Sequence, residues 1–208
     1  MTYHLIVQPF DGDFSFLEDI GSQANTIYKP KVKTFEVSPK IKLSDSVLTY
    51  KGEYFSKCLV ENVVLKMDSL ARKEIRKHYE VGEKMIYVED ILDEMTKHWA
   101  YNSNEILLGV LPYFVYGLTD APNGQAERES HMAVISNFDI RTHNSEVSVG
   151  IGLHEIGHVL KLDHCEVEGC LMRRLGKFKD FYEGVYKLCE KHRNQIDKNW
   201  RDSGKDYK

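Results

Sequence analysis

Apolar and polar residues alternate through TYHLIVQPF at residues 2–10, which predicts an opening β-strand. The turn former Asp11-Gly12-Asp13 follows, and a helical stretch is expected from about Phe14 to Tyr28. VKTFEVS at 32–38 is a second strand candidate, stopped by Pro39. From Ser56 to His78, Val60, Val63, Val64, Met67, Leu70 and Ala71 recur at three- and four-residue intervals, the spacing of an amphipathic helix. Val88, Ile91, Leu92, Met95 and Trp99 repeat that spacing. EILLGVL at 105–111 and MAVISNF at 132–138 read as strands, joined by a long connection that contains TDAPNGQ. A helix is expected from about Ser145 through GIGLHEIGHVLKL, and a last long helix from Phe178 to Asn199, burying Phe181, Tyr182, Val185 and Leu188. Strands and helices are intermixed, so the expected fold class is α+β, or α/β-like, with a mixed sheet.

Composition adds bounds. The 208 residues fit a single domain covering 1–208, with 42% hydrophobic and 29% charged residues and only five prolines, as in an ordinary globular protein. A net charge of −4 argues against a nucleic-acid partner. The opening MTYHLIVQPF has no basic leader before a long apolar run, and the uncharged run Ile106–Thr119 is too short to span a bilayer and holds Pro112. The expected setting is cytoplasmic, with no membrane partner and a monomeric chain. There thiols stay reduced, so Cys58, Cys165, Cys170 and Cys189 read as metal ligands or core residues rather than as disulfides.

The chemistry is concentrated in HEIGHVLKLDHCEVEGCLM at 154–172. His154 and His158 are four apart, so on a helix both imidazoles lie on one face about 6 Å apart along the axis and can share one ion. Glu155 stands beside them, placed to take a proton from a metal-activated water. On a straight helix His164 would be about 15 Å along the axis from His154, so the chain must leave the helix after His158 and fold back if His164 is to join them. Three imidazoles with an open fourth position make the ligand count of a catalytic zinc site. His4, His78, His98, His131 and His143 lack such spacing and read as ordinary side chains.

Cys165 and Cys170, then Cys189 and His192, form two short-spaced pairs, the arrangement of a closed Cys₃His zinc site. Such a site would pin the carboxy-terminal helix to the segment carrying His164. Cys58 lies outside the pattern and reads as core.

His154, Glu155, His158 and His164 resemble the H-E-x-x-H-x-x-G-x-x-H motif of the metzincin clan of zinc peptidases, except that Lys161 stands where the clan has glycine. Glycine serves there because the chain turns with a positive φ, which costs another residue roughly 1–2 kcal/mol. Cys165, Cys170 and Met172 narrow the resemblance to the archaemetzincins, with His192 where that family usually has a fourth cysteine. The resemblance implies a mixed twisted sheet with an active-site helix, spanning 1–164, and a small zinc-stapled helical subdomain at 165–208. It implies two zinc ions, a methionine turn at Met172 beneath the catalytic one, and hydrolysis of a peptide or protein substrate. An extended substrate would lie along an exposed sheet edge from the segment between Gly117 and Ser136. Two alternatives stay open: a zinc-stabilised module that binds peptides without cleaving them, favoured if Lys161 misplaces His164, and a zinc hydrolase of a non-peptide amide.

Overall fold

The computed structural model describes residues 2–44, 47–48, 85–99, 102–116, 123–138, 144–174 and 179–202. The helix expected over 56–78, with Cys58, His78 and His143, lies outside the described residues.

The described strands are β1 (Tyr3–Pro9), β2 (Val32–Val37), β3 (Met85–Tyr87), β4 (Glu105–Leu111), β5 (Phe114–Tyr116), β6 (Gly124–Glu127) and β7 (Met132–Ser136), with helices interspersed. These are α1 (Leu17–Ile27), α2 (Val88–His98), α3 (Ser145–Val159), α4 (Lys179–Tyr182) and α5 (Glu190–Asp202). One five-stranded sheet runs in the order β2-β1-β4-β7-β6, and β3 pairs with β5 in a small second sheet. All neighbours in the main sheet are parallel except β6, which runs antiparallel to β7. The fold is α+β with a mixed sheet, as expected.

Burial follows position in the sheet. The central strands β4 and β7 are buried almost throughout, as strands covered on both faces must be, whereas the edge strands β2 and β6 each bury only their first residue fully. Successive side chains point to opposite faces. Leu5, Val7, Ile106, Leu108, Val110, Ala133 and Ile135 therefore meet α1 and α3 in one core, while Ile6, Leu107, Leu111, Met132 and Val134 meet α2 in another.

Helix α3 is apolar nearly all round. From Val147 to Gly157 every residue is buried, which identifies a central helix rather than a surface one. Its start is set by Asn144, whose side-chain oxygen accepts from the N–H groups of Glu146 and Val147 at 2.9 and 3.2 Å.

Two expectations need correction. The last helix is not continuous: α4 stops at Tyr182, Gly184 turns with φ +66°, and α5 begins only at Glu190. In between, Lys187 bridges Cys170 and accepts a hydrogen bond from Leu171 N–H at 2.6 Å, pairing that a helix would forbid. Phe181 is buried, but Tyr182 is 48% exposed, and Val185 and Leu188 are half-buried. The connection before β7 also contains an unexpected strand, β6. GQAE carries no β-branched or aromatic residue, and it becomes β6 because β7 offers an unpaired edge.

Removing the Asn144 cap by Asn144→Ala is expected to lower stability by about 1 kcal/mol, read as a lower urea midpoint at unchanged slope.

Candidate metal centres

Helix α3 delivers His154 and His158 on one face, and the chain then turns back sharply. Lys161 N–H donates to the His158 carbonyl and Leu162 N–H to the Gly157 carbonyl, both at 2.9 Å. This pair of bonds is a Schellman closure, which requires a left-handed residue between them. Lys161 is that residue, with φ +67°. The turn expected of glycine is thus made by lysine, whose side chain is exposed.

The turn carries His164 back to the helix. The Nε2 atoms of His154, His158 and His164 lie 3.0–3.1 Å from one another. Those contacts are not all hydrogen bonds. His154 Nδ1 faces the Leu171 carbonyl at 2.7 Å and His158 Nδ1 the Leu162 carbonyl at 2.8 Å. A carbonyl only accepts, so both rings carry their proton on Nδ1 and point bare Nε2 lone pairs at one another. A hydrogen on His164 could serve one of those nitrogens but not both at once with good geometry. The donor set fits a cation: nitrogens held by one tetrahedral zinc at about 2.0–2.1 Å stand roughly 3.3 Å apart.

The charge state agrees. Burial, opposed by the Leu171 hydrogen bond and aided by the two neighbouring rings, pushes the His154 pKa down to about 3. Burial also lowers His158 and His164, with Arg174 acting on His164 as well. All three imidazoles are therefore neutral at neutral pH, the form that binds metal.

Glu155 is 3% exposed, and burial raises its pKa to about 8. It lies against β6: a Cβ built on Gly124 would stand 2.9 Å from both Cγ and Oε1 of Glu155. Only a residue without a side chain leaves that carboxyl its place.

Beneath the helix, Met172 is fully buried, and a Cβ on Gly157 would come within 2.4 Å of its sulfur. Met172 thus lies under the turn of helix between the first two histidines. Tyr28, also fully buried, donates its hydroxyl to the Leu153 carbonyl and anchors α1 to the same stretch.

Cys165, Cys170, Cys189 and His192 form the second group, their ligand atoms all within 4.8 Å of one another. His192 Nδ1 lies 3.4 Å from the sulfurs of both Cys170 and Cys189, close to the roughly 3.5 Å between nitrogen and sulfur on one tetrahedral zinc. Cys189 immediately precedes α5 rather than lying within it. Burial pushes the Cys170 thiol up to about 12. At Cys189 burial is outweighed by the N–H of His192 and by Cys170, and the pKa falls. Burial lowers His192.

One segment serves both groups. Leu171 supplies the carbonyl that orients His154, and Met172 the carbonyl that accepts Cys165 N–H at 3.0 Å. Cys170, immediately before them, is a member of the second group. His154, His158 and His164, and Cys165, Cys170, Cys189 and His192, are therefore brought together in two groups, while His4 and His98 hydrogen-bond Thr34 and Glu94 outside both. Gly124, Tyr28, Arg128 and Gln195 were not legible, because each acts through a contact distant in sequence. Arg128 Nη2 donates to the Leu162 carbonyl and the Asp163 carboxylate, and Gln195 Nε2 to the Lys161 carbonyl.

The positive φ at Lys161 implies that Lys161→Gly raises stability by about 0.5–1 kcal/mol, the left-handed penalty less the added freedom of the unfolded chain. A lower urea midpoint for Lys161→Gly would contradict the strain at this turn.

No protein-family model and no curated protein matches the chain. Among solved structures it is similar to an archaemetzincin from Methanopyrus kandleri, with TM-score 0.61 and 18% identity, covering 96% of each chain. An archaemetzincin from Archaeoglobus fulgidus, complexed with malonate, superposes with TM-score 0.57 and 20% identity over 92% of this chain and 99% of the other. A zinc-dependent peptidase from Methanocorpusculum labreanum gives TM-score 0.57 and 16% identity over the same shares. In its fold, the chain is archaemetzincin-like.

Proposed function

We propose that the chain is a zinc-dependent peptidase of archaemetzincin type, holding two zinc ions. The observation that carries this reading is the convergence of three neutral imidazoles beside a buried carboxyl, next to the strand that ends the sheet. His154, His158 and His164 hold the catalytic ion, and Cys165, Cys170, Cys189 and His192 hold a structural one.

Zinc at the first site supplies Lewis-acid polarisation of a carbonyl and a lowered pKa for water. Glu155 is the proton carrier. Its desolvated carboxyl, at about 8 before a cation acts on it, lies near the range where one group can both accept and release a proton at neutral pH. A bound cation favours the carboxylate and draws that value down. Leu171 and Leu162 keep the ligand imidazoles in one tautomer and raise their basicity. Met172, fully buried, packs against the helix at Gly157, between His154 and His158.

β6 is one edge of the main sheet, β2 being the other, and it falls inside the segment expected to receive substrate. An extended peptide pairing with Gly124–Glu127 would lie beside Glu155 at Gly124. The chain divides at 164/165, the second ion closing the part that follows. We assign it a peptide or protein substrate and a cytoplasmic setting; no described helix is long and apolar enough to cross a membrane. The reading as a binding module depended on a misplaced His164. Lys161 makes the left-handed turn, and the three Nε2 atoms converge.

Glu155→Gln is expected to keep both zinc ions by metal analysis and to lower cleavage of a peptide library by about 10²–10⁴-fold. Cleavage at the wild-type rate would remove Glu155 from this role. Replacing His158 by Ala should reduce zinc from two ions per chain to one, leaving the cysteine site loaded.

A further inference from the structure

The turn at 161–163 has to hold an unfavourable backbone conformation and place two ligands at once; its Schellman bonds and the burial of Leu162 fix its N–H groups and core side chain but not the carbonyls of Lys161 and Leu162. Lys161 and Asp163 are exposed, and the turn lies at the end of α3 with His164 exposed beyond it. Two side chains from other parts of the chain reach its carbonyls. Arg128, just past the end of β6, donates from Nη2 to the Leu162 carbonyl at 3.3 Å and to Asp163 Oδ1 at 2.6 Å. Gln195, on α5, donates from Nε2 to the Lys161 carbonyl at 2.9 Å.

The Leu162 carbonyl is also the acceptor for His158 Nδ1 at 2.8 Å. A carbonyl oxygen has two lone pairs, so it can take His158 and Arg128 together. The arginine therefore fixes the group that fixes the ligand. Its grip on Asp163 holds the residue next to His164. As an ion pair the contact contributes little to stability, since the two side chains are 44% and 71% exposed. Its consequence is orientation. Gln195 does the same one residue earlier, at the strained position itself, and stands on the same helix one turn beyond His192.

We infer that Arg128 and Gln195 are positioning residues for the three-histidine site, which together clamp the carbonyls of the left-handed turn formed here by lysine. The inference rests on the proposal that this site holds zinc. Neither residue touches the ion or the reacting atoms. The edge strand and the carboxy-terminal helix are thereby both tied to the geometry of His158 and His164.

The test uses the full chain loaded with zinc and challenged with an excess of chelator. In Arg128→Met and in Gln195→Met, one zinc per chain should leave about 10-fold or more faster than from the wild type, while the second stays at its wild-type rate. Arg128→Lys, which keeps the charge and one donor, should fall between. Lys161→Gly should restore slow release to Gln195→Met, because the relaxed turn no longer needs the clamp. Peptide turnover should fall through kcat.

Unchanged zinc release in both single variants would overturn the inference. So would equal acceleration at both sites, which marks a general loss of structure, or a rise in KM alone with zinc retained, which marks substrate contact. If Arg128→Met does not fold, Arg128→Lys and Gln195→Met carry the decision. The metal readout needs no substrate, so a chain that releases zinc as stated but cleaves no peptide sinks the peptidase reading and leaves this one standing.

Discussion

Lone pairs of like sign cannot be held at van der Waals distance without something positive among them. His154 and His158 give their Nδ1 protons to the carbonyls of Leu171 and Leu162, and so turn unprotonated nitrogens inward at 3.0 Å from each other. His154 is fully buried, so water cannot satisfy it from outside, and an unmet polar group there costs about 1–3 kcal/mol. Lowering the charge of the rings does not relieve this, since neutral imidazoles still face one another with acceptors. A shared cation converts the repulsion into coordination. Much of the surrounding structure serves to impose this arrangement before the cation arrives: the all-round burial of α3, the reversal at Lys161, and the return of the chain to place Leu171 below His154.

The second group follows from the first. The segment that supplies Leu171 and Met172 to the histidine site has no helix or sheet of its own. It is held by isolated bridges, Cys165 to Arg173 and Cys170 to Lys187, and by its cysteines. Burial of Leu171 and Met172 in the core adds to this sparse pairing. The proposed closed tetrahedral ion would tighten it further, since structural zinc in small peptides contributes about 10–16 kcal/mol. The same group draws in His192 and with it α5, whose Arg193 donates to the Ile27 carbonyl at 2.7 Å and so reaches back to α1.

How much of this was legible in the sequence depends on whether the interaction is local. The central strands declared themselves by apolar runs, and α3 by its fixed histidine spacing and the apolar residues around it. The metal groups could be assembled from spacing alone because metal ligands carry their chemistry in their residue type. Strand β6 could not be read from GQAE, because its conformation is imposed by β7 and not by its own propensities. The break between α4 and α5 was hidden for a related reason. Phe181, Val185 and Leu188 keep a helical spacing, but the pairing of Lys187 with Cys170 and Leu171, and the bond from the Tyr186 hydroxyl to the Glu146 carbonyl, hold that stretch extended. Gly124 gave no sign of its importance, since its meaning lies in the carboxyl it makes room for.

That carboxyl shows why the sheet edge and the helix had to meet at a glycine. A glutamate buried to 3% exposure costs the fold free energy if ionised, and burial answers by raising its pKa to about 8. Moving β6 outward to admit a side chain at 124 would hydrate Glu155 and return it toward an ordinary carboxylate, which is a weaker base. Moving it inward is barred by contact. The absence of one Cβ therefore sets the distance between the edge that would receive a peptide and the group that would move its proton, and it keeps that group dry. The edge strand with the poorest intrinsic propensity is thus the one whose backbone must approach the site most closely, and a richer strand sequence would have given stability at the expense of that approach.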